Sequence, residues 1–73
     1  MKAERKFYEI LRILIEEDNK IKEKADIKFY DDKFIIKYNG FTFNNGDIFY
    51  NNYLLAKDRT QEQCYIFLRS IIL

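Results

Sequence analysis

The chain has no histidine, no proline and no tryptophan, and its 73 residues include one cysteine and two glycines. Each shortage excludes something. Without histidine, the usual zinc sites and the commonest general base of acid–base catalysis are missing. The lone Cys64 rules out an internal disulfide. A surplus of one charge is missing too: 13 basic residues are interleaved with 12 acidic ones, for a net charge of +1. That balance lacks the basic excess of a typical nucleic-acid-binding domain, and it lacks the acidity of a DNA mimic. Long apolar runs are absent; Tyr65 to Leu68 is far too short to cross a bilayer. The opening MKAERKFYE places charges where a signal peptide carries its apolar run, so a soluble, cytoplasmic protein is expected.

What is present points to a folded chain. Seven phenylalanines and six tyrosines give thirteen aromatics, too many for a disordered tail. A chain this short hides only about 60% of its unfolded surface, so a second copy or a partner would add useful burial. Ile, Lys, Asn, Phe and Tyr make up more than half of the residues. Their codons are AT-rich, which suggests a low-GC bacterium or a phage or mobile element living in one.

Residues 26–44, DIKFYDDKFIIKYNGFTFN, organise the rest. Asn39-Gly40 is a strong hairpin signal, because both central positions of a type I′ turn need positive φ. A two-residue turn there sets Tyr38 opposite Phe41 and Ile36 opposite Phe43. Closing an earlier hairpin at Asp31-Asp32 sets Phe29 opposite Phe34, Ile27 opposite Ile36 and Asp26 opposite Lys37. Strand side chains alternate between faces, so both turns put the same apolar set on one side. Two independent turns that agree on one buried face support each other.

Residues 2–18 carry a helical stripe of Phe7, Ile10, Leu11, Leu14 and Ile15, with Arg5–Glu9 and Arg12–Glu16 as opposite-charge pairs. The acidic run Glu16-Glu17-Asp18 opposes the helix dipole. Asn19 would end this helix in the left-handed conformation, unless Ile21 carries it on to about Glu23. After a turn at Asn44-Asn45-Gly46-Asp47, residues 48–57 read as strands in preference to a helix, since aromatic and β-branched residues favour strands. A turn at Asn51-Asn52 then sets Tyr50 opposite Tyr53, Phe49 opposite Leu54 and Ile48 opposite Leu55. Thr60 and Gln63 form a capping box ahead of a second helix whose stripe is Cys64, Phe67, Leu68, Ile71 and Ile72. The expected fold is a single α+β domain over residues 1–73. It is a two-layer sandwich with an N-terminal helix, an antiparallel meander of three to five strands, and a C-terminal helix.

No arrangement of residues points to chemistry. The one serine, Ser70, has no histidine to activate it, and Cys64 falls on a buried stripe where cysteine behaves as a small hydrophobe. Asp31-Asp32 and Asn44-Asn45-Gly46-Asp47 lack the spacing of a calcium loop and suit turns instead. No enzyme activity, cofactor or metal is expected. The outer sheet face carries Lys28, Lys33, Lys37, Thr42 and Asn44, yet Phe49 pairs with Leu54 there, and Tyr30 and Ile35 lie on it too. Together with Tyr53 and with Ile66 on the second helix, these residues are the candidate interface for a second copy or another protein.

The order helix, three strands, helix is similar to that of the double-stranded-RNA-binding domain. That family reads RNA through its first helix, the loop between its first two strands and a basic start to its last helix. Here the corresponding loop is Asp31-Asp32, and the last helix opens Gln61-Glu62-Gln63. The resemblance covers connectivity only, and the departures fall on the contact positions; RNA binding as the alternative reading rests on a basic stripe of Lys28, Lys33 and Lys37 on one sheet face. Elimination favours a different class, a small non-enzymatic protein-interaction module. A phage or mobile element would use such a module to block a host protein or defence complex, as anti-CRISPR proteins do.

Overall fold

Asp18 divides the N-terminal helical region in two. A computed structural model describes residues 8–72, with α1 at Glu9–Glu16 and α2 at Asn19–Lys24. The Asp18 N–H bonds the Ile15 carbonyl at 2.9 Å, and its Oδ1 accepts from the Ile21 N–H at 3.2 Å. One residue thus closes α1 and caps α2, since a carboxylate next to orphan N–H groups is stabilising. The expectation of one helix, ended by a left-handed Asn19 or running on to Glu23, is corrected. Asn19 is the first residue of α2, and the positive-φ positions lie elsewhere. The acidic run did mark a weak helix end; Asp18 found better use as a cap. Phe7, Arg5 and the start of the expected helix lie outside the described residues.

Five strands follow: β1 Asp26–Phe29, β2 Phe34–Tyr38, β3 Phe41–Asn44, β4 Asp47–Tyr50 and β5 Tyr53–Ala56. They form an antiparallel meander in the order β1-β2-β3-β4-β5. The pairings Phe29–Phe34, Ile27–Ile36, Asp26–Lys37, Ile36–Phe43 and Tyr38–Phe41 are those the turns predict. So are Phe43–Ile48, Tyr50–Tyr53 and Phe49–Leu54. With so few glycines, asparagine supplies most of the left-handed backbone: Asn39 (φ 46°), Asn45 (57°), Asn51 (48°) and Asn52 (74°). Asparagine tolerates this region better than other residues with a Cβ.

One pairing is corrected. Ile48 lies opposite Ala56, not Leu55, because the β4–β5 ladder shifts register between Ile48 and Phe49. The shift leaves Leu55 exposed and lets the chain bend back toward the preceding turn. There the Arg59 N–H bonds the Gly46 carbonyl at 2.8 Å, and the Asp58 N–H bonds Asp47 Oδ1 at 3.0 Å.

The closing helix, α3, spans Gln61–Ile71 and has the predicted capping box, with Thr60 N–H to Gln63 Oε1 at 2.9 Å and Gln63 N–H to Thr60 Oγ1 at 3.1 Å. It runs beside α1 in the same direction. Gln61 Oε1 accepts from the Leu11 N–H at one end, and Asp18 accepts from Tyr65 and Arg69 toward the other. Both helices lie on one face of the sheet. Tyr8, Leu11, Ile15, Ile21, Cys64 and Leu68 meet Phe34, Ile36, Phe43 and Ile48 in one buried cluster. Phe67 sets its ring edge-on to Phe41 and Phe43, at 5.9 and 5.8 Å, the packing favoured by ring quadrupoles. The α1 stripe is rotated from the expected one: Tyr8, Leu11 and Ile15 are buried, whereas Ile10 is exposed. Arg12, expected to pair with Glu16, stands over the Phe29 ring at 5.3 Å.

Candidate protein-docking surface

All helices take one side of the sheet, so the other side is uncovered by the described residues. Strand alternation assigns it Asp26, Lys28 and Tyr30 from β1 and its turn, then Ile35 and Lys37, Thr42 and Asn44, Asp47 and Phe49, and Leu54. One cross-strand row reads Asp26, Lys37, Thr42, Phe49, Leu54. The next reads Lys28, Ile35, Asn44, Asp47. Charge is therefore concentrated over β1 and β2, and apolar surface over β4 and β5.

Phe49 and Leu54 are direct cross-strand partners, with Cβ atoms about 5 Å apart in such a pair. Phe49 is half-buried and Leu54 is 51% exposed. Thr42 continues the line beside Phe49, and Ile35 lies diagonally beyond Thr42, so four strands contribute to one oblique band. Tyr30 sits at the far corner, where the Lys33 ammonium approaches its ring at 5.5 Å. Between them, Asp26, Lys28, Tyr30, Ile35 and Lys37 enclose a shallow hollow of about 110 Å³.

The other two candidates lie apart. Tyr53 is 74% exposed, but it shares the helix-side face with its partner Tyr50, whose ring packs tilted against Phe41 with centroids 4.7 Å apart. Ile66 is 64% exposed on α3, between the buried Cys64 and Leu68 and thus on the helix's solvent side. Ile10 and Ile13 are exposed on α1 in the same way. The structure therefore brings Phe49, Leu54 and Ile35 onto one surface with Tyr30 at its corner, and separates Tyr53 and Ile66 from it.

Lys28 and Lys37 flank Ile35 on the open face, with Asp26 opposite Lys37, whereas Lys33 belongs to the turn and leans on Tyr30. The five-strand meander also departs from the three-strand order of the RNA-binding resemblance.

Asn45, Cys64 and Asp18 are engaged in the fold's own hydrogen bonds. Asn45 Oδ1 accepts from the Phe34 N–H at 2.9 Å, the Asn45 N–H bonds the Phe34 carbonyl at 3.0 Å, and its own carbonyl receives the Cys64 thiol at 3.7 Å. Burial pushes that thiol from its ordinary 9.0 up to about 11; the Arg59 charge pulls it down somewhat and Asp47 raises it. Asp18 is only 8% exposed, and its Oδ2 accepts from Tyr65 at 2.9 Å and from Arg69 at 2.7 Å. Desolvation pushes its carboxyl up, but the hydrogen bonds from Arg69, the Ile21 N–H and Tyr65, with the Arg69 charge, outweigh this and hold it below its ordinary 3.8. Among the described residues there is no cluster of three potential metal ligands, and no helix long and apolar enough to cross a membrane.

No protein-family model, no curated protein and no solved structure matches the chain.

Proposed function

We propose that this protein is a small protein-interaction module that docks a partner on the open face of its sheet. The observation behind the reading is the pairing of Phe49 with Leu54 on a face that no helix among the described residues covers, next to Thr42 and Ile35 and bordered by charge. An apolar centre with a polar rim is how protein interfaces are built. Aromatic residues there bury much surface at little entropic cost. The near-neutral charge fits a contact held by packing. In its most specific form the module is an inhibitor, carried by a phage or mobile element, that occludes a host protein or defence complex.

The test is a tagged pull-down from bacterial lysate, with and without nuclease, using the wild-type chain and Phe49→Asp. A stoichiometric protein that survives nuclease and is lost with Phe49→Asp supports the reading. Recovery of nucleic acid instead, with an affinity that falls steeply with salt and with Lys28 or Lys37 substitution, overturns it in favour of RNA binding.

A further inference from the structure

We infer that the β1 edge of the sheet receives an extended segment of a partner protein as an added strand. This deepens the proposed protein-binding role and rests on it. In an antiparallel ladder, successive residues point their N–H and C=O groups alternately toward and away from the neighbouring strand. Two bonds fix the phase of β1. The Tyr30 N–H bonds the Lys33 carbonyl at 2.8 Å, so Tyr30 points toward β2. Phe34 gives its N–H to Asn45 Oδ1 and its carbonyl to the Asn45 N–H, on the β3 side. Phe34 therefore has neither group for its β1 partner, Phe29. It follows that Phe29 and Ile27 aim both backbone groups off the sheet edge, two residues apart, as an incoming strand requires.

These same residues line an open groove of about 400 Å³, together with Ile15 and Glu16 of α1, Lys22 of α2, Ala25 and Asp26. Ile15, Ala25, Ile27 and Phe29 make its apolar floor, and Glu16, Lys22 and Asp26 its charged rim. A row of backbone donors and acceptors beside an apolar trough selects an extended peptide, with the ladder providing affinity and the trough receiving alternate side chains. The occupant is thus a strand with an apolar residue to seat on Ile15, Ile27 and Phe29, flanked by polar ones. A second copy fits poorly. A two-fold axis through β1 keeps both sets of helices on the same side of the joined sheet. It would bring the partner's α2 onto the groove, where a lone extended segment brings only its side chains. The opposite edge, β5, is less suited, because the register shift beside Leu55 interrupts its ladder.

The experiment pans the full-length chain against a displayed library of short linear random peptides and maps the enriched peptides by amide NMR and hydrogen exchange. Expected are peptides that shift and protect the Ile27 and Phe29 amides. Two variants should each weaken them by about tenfold or more: Ala25→Gln, which fills the trough with Tm held, and Ile27→Pro, which deletes an edge donor and, with the Ile27 packing gone, lowers Tm while circular dichroism shows the sheet retained. Three results overturn the inference: no enrichment, protection confined to the Phe49–Leu54 face, or unchanged affinity in Ala25→Gln. Peptides at Phe49 and Leu54 would leave the proposed function standing while this edge falls. Peptides at β1, with no partner lost on Phe49→Asp, would preserve the edge and sink the open-face reading.

Discussion

Replacing Gly46 by alanine puts a methyl group where the backbone of Arg59 already lies. A Cβ built at Gly46 would sit 2.6 Å from the Arg59 carbonyl oxygen and 3.0 Å from its nitrogen. Real Cβ atoms do not approach oxygen that closely, and the obstacle is main chain, so no rotamer change relieves it. The Lys57–Thr60 segment must move away, stretching the 2.8 Å bond from the Arg59 N–H to the Gly46 carbonyl. Overpacking of this kind costs about 1–3 kcal/mol, and the weakened hydrogen bond adds roughly 0.5–1.5 kcal/mol. A loss of about 2–4 kcal/mol corresponds to a Tm drop of about 10–25 °C at this chain length. Gly40 provides the internal control. Its φ of +91° is left-handed, but the atoms nearest an added Cβ belong to the Asn51 and Tyr50 side chains, at 3.0 and 3.1 Å, and not to main chain. Gly40→Asn should therefore cost about 1 kcal/mol or less, since asparagine already holds both central positions of the β4–β5 turn. Urea unfolding followed by circular dichroism measures all three proteins. If Gly46→Ala is no more destabilising than Gly40→Asn, the close approach of the 57–60 segment to the β3–β4 turn is refuted.

Two further predictions concern titratable groups. Asp18 has a depressed carboxyl in the folded chain. Its contribution to stability is therefore complete above its unfolded pKa of 3.8 and is lost as pH falls through the folded value. Asp18→Asn keeps a capping side chain but loses the charge, so it should melt lower than wild type at pH 7, and the two curves should converge as pH falls through the folded pKa of Asp18, below 3.8. Curves that stay parallel across that range would show that the Asp18–Arg69 contact does not matter. Cys64, with its thiol raised to about 11, should resist iodoacetamide at pH 9 in the native protein. There about 1% is thiolate, against roughly half in the unfolded chain. Rapid native labelling would contradict its burial.

Much of the sheet was readable because turn chemistry is local. Asn39-Gly40, Asn51-Asn52 and Asp31-Asp32 each fix a register by backbone preference alone, and the faces follow from a period of two. The Thr60–Gln63 box was readable for the same reason. What escaped was decided by distant partners. Asp18 caps a new helix, and its other oxygen meets Tyr65 and Arg69, 47 and 51 residues away. Ile10 loses its place in the core to Tyr8 because α1 is rotated by its packing against α3 and Phe29. The register shift beside Leu55 has no glycine to announce it and depends on Gly46 accepting from Arg59. Of the candidate interface, the pairing of Phe49 with Leu54 was legible because one turn sets them opposite each other. Tyr53 and Ile66 were grouped with them on hydrophobicity, which carries no information about distance.

The two proposed contact regions can be tested against each other. Phe49 on β4 and Leu54 on β5 stand three and four strand spacings from β1, about 15–20 Å at 4.8 Å per spacing. A single partner that adds a strand at Ile27 and Phe29 and packs on Phe49 must span that width, which a small domain can do. At such a separation, substitutions without shared neighbours add to within about 0.5 kcal/mol. Against one partner engaging both regions, Phe49→Asp and Ala25→Gln should each reduce affinity, and the double variant should multiply their effects. If two different partners are involved, each single variant should lose one and leave the other untouched. A double variant much weaker than the product would mean that Phe49→Asp disturbs the sheet through to its β1 edge. The open face would then have to be reassigned from docking surface to structural support.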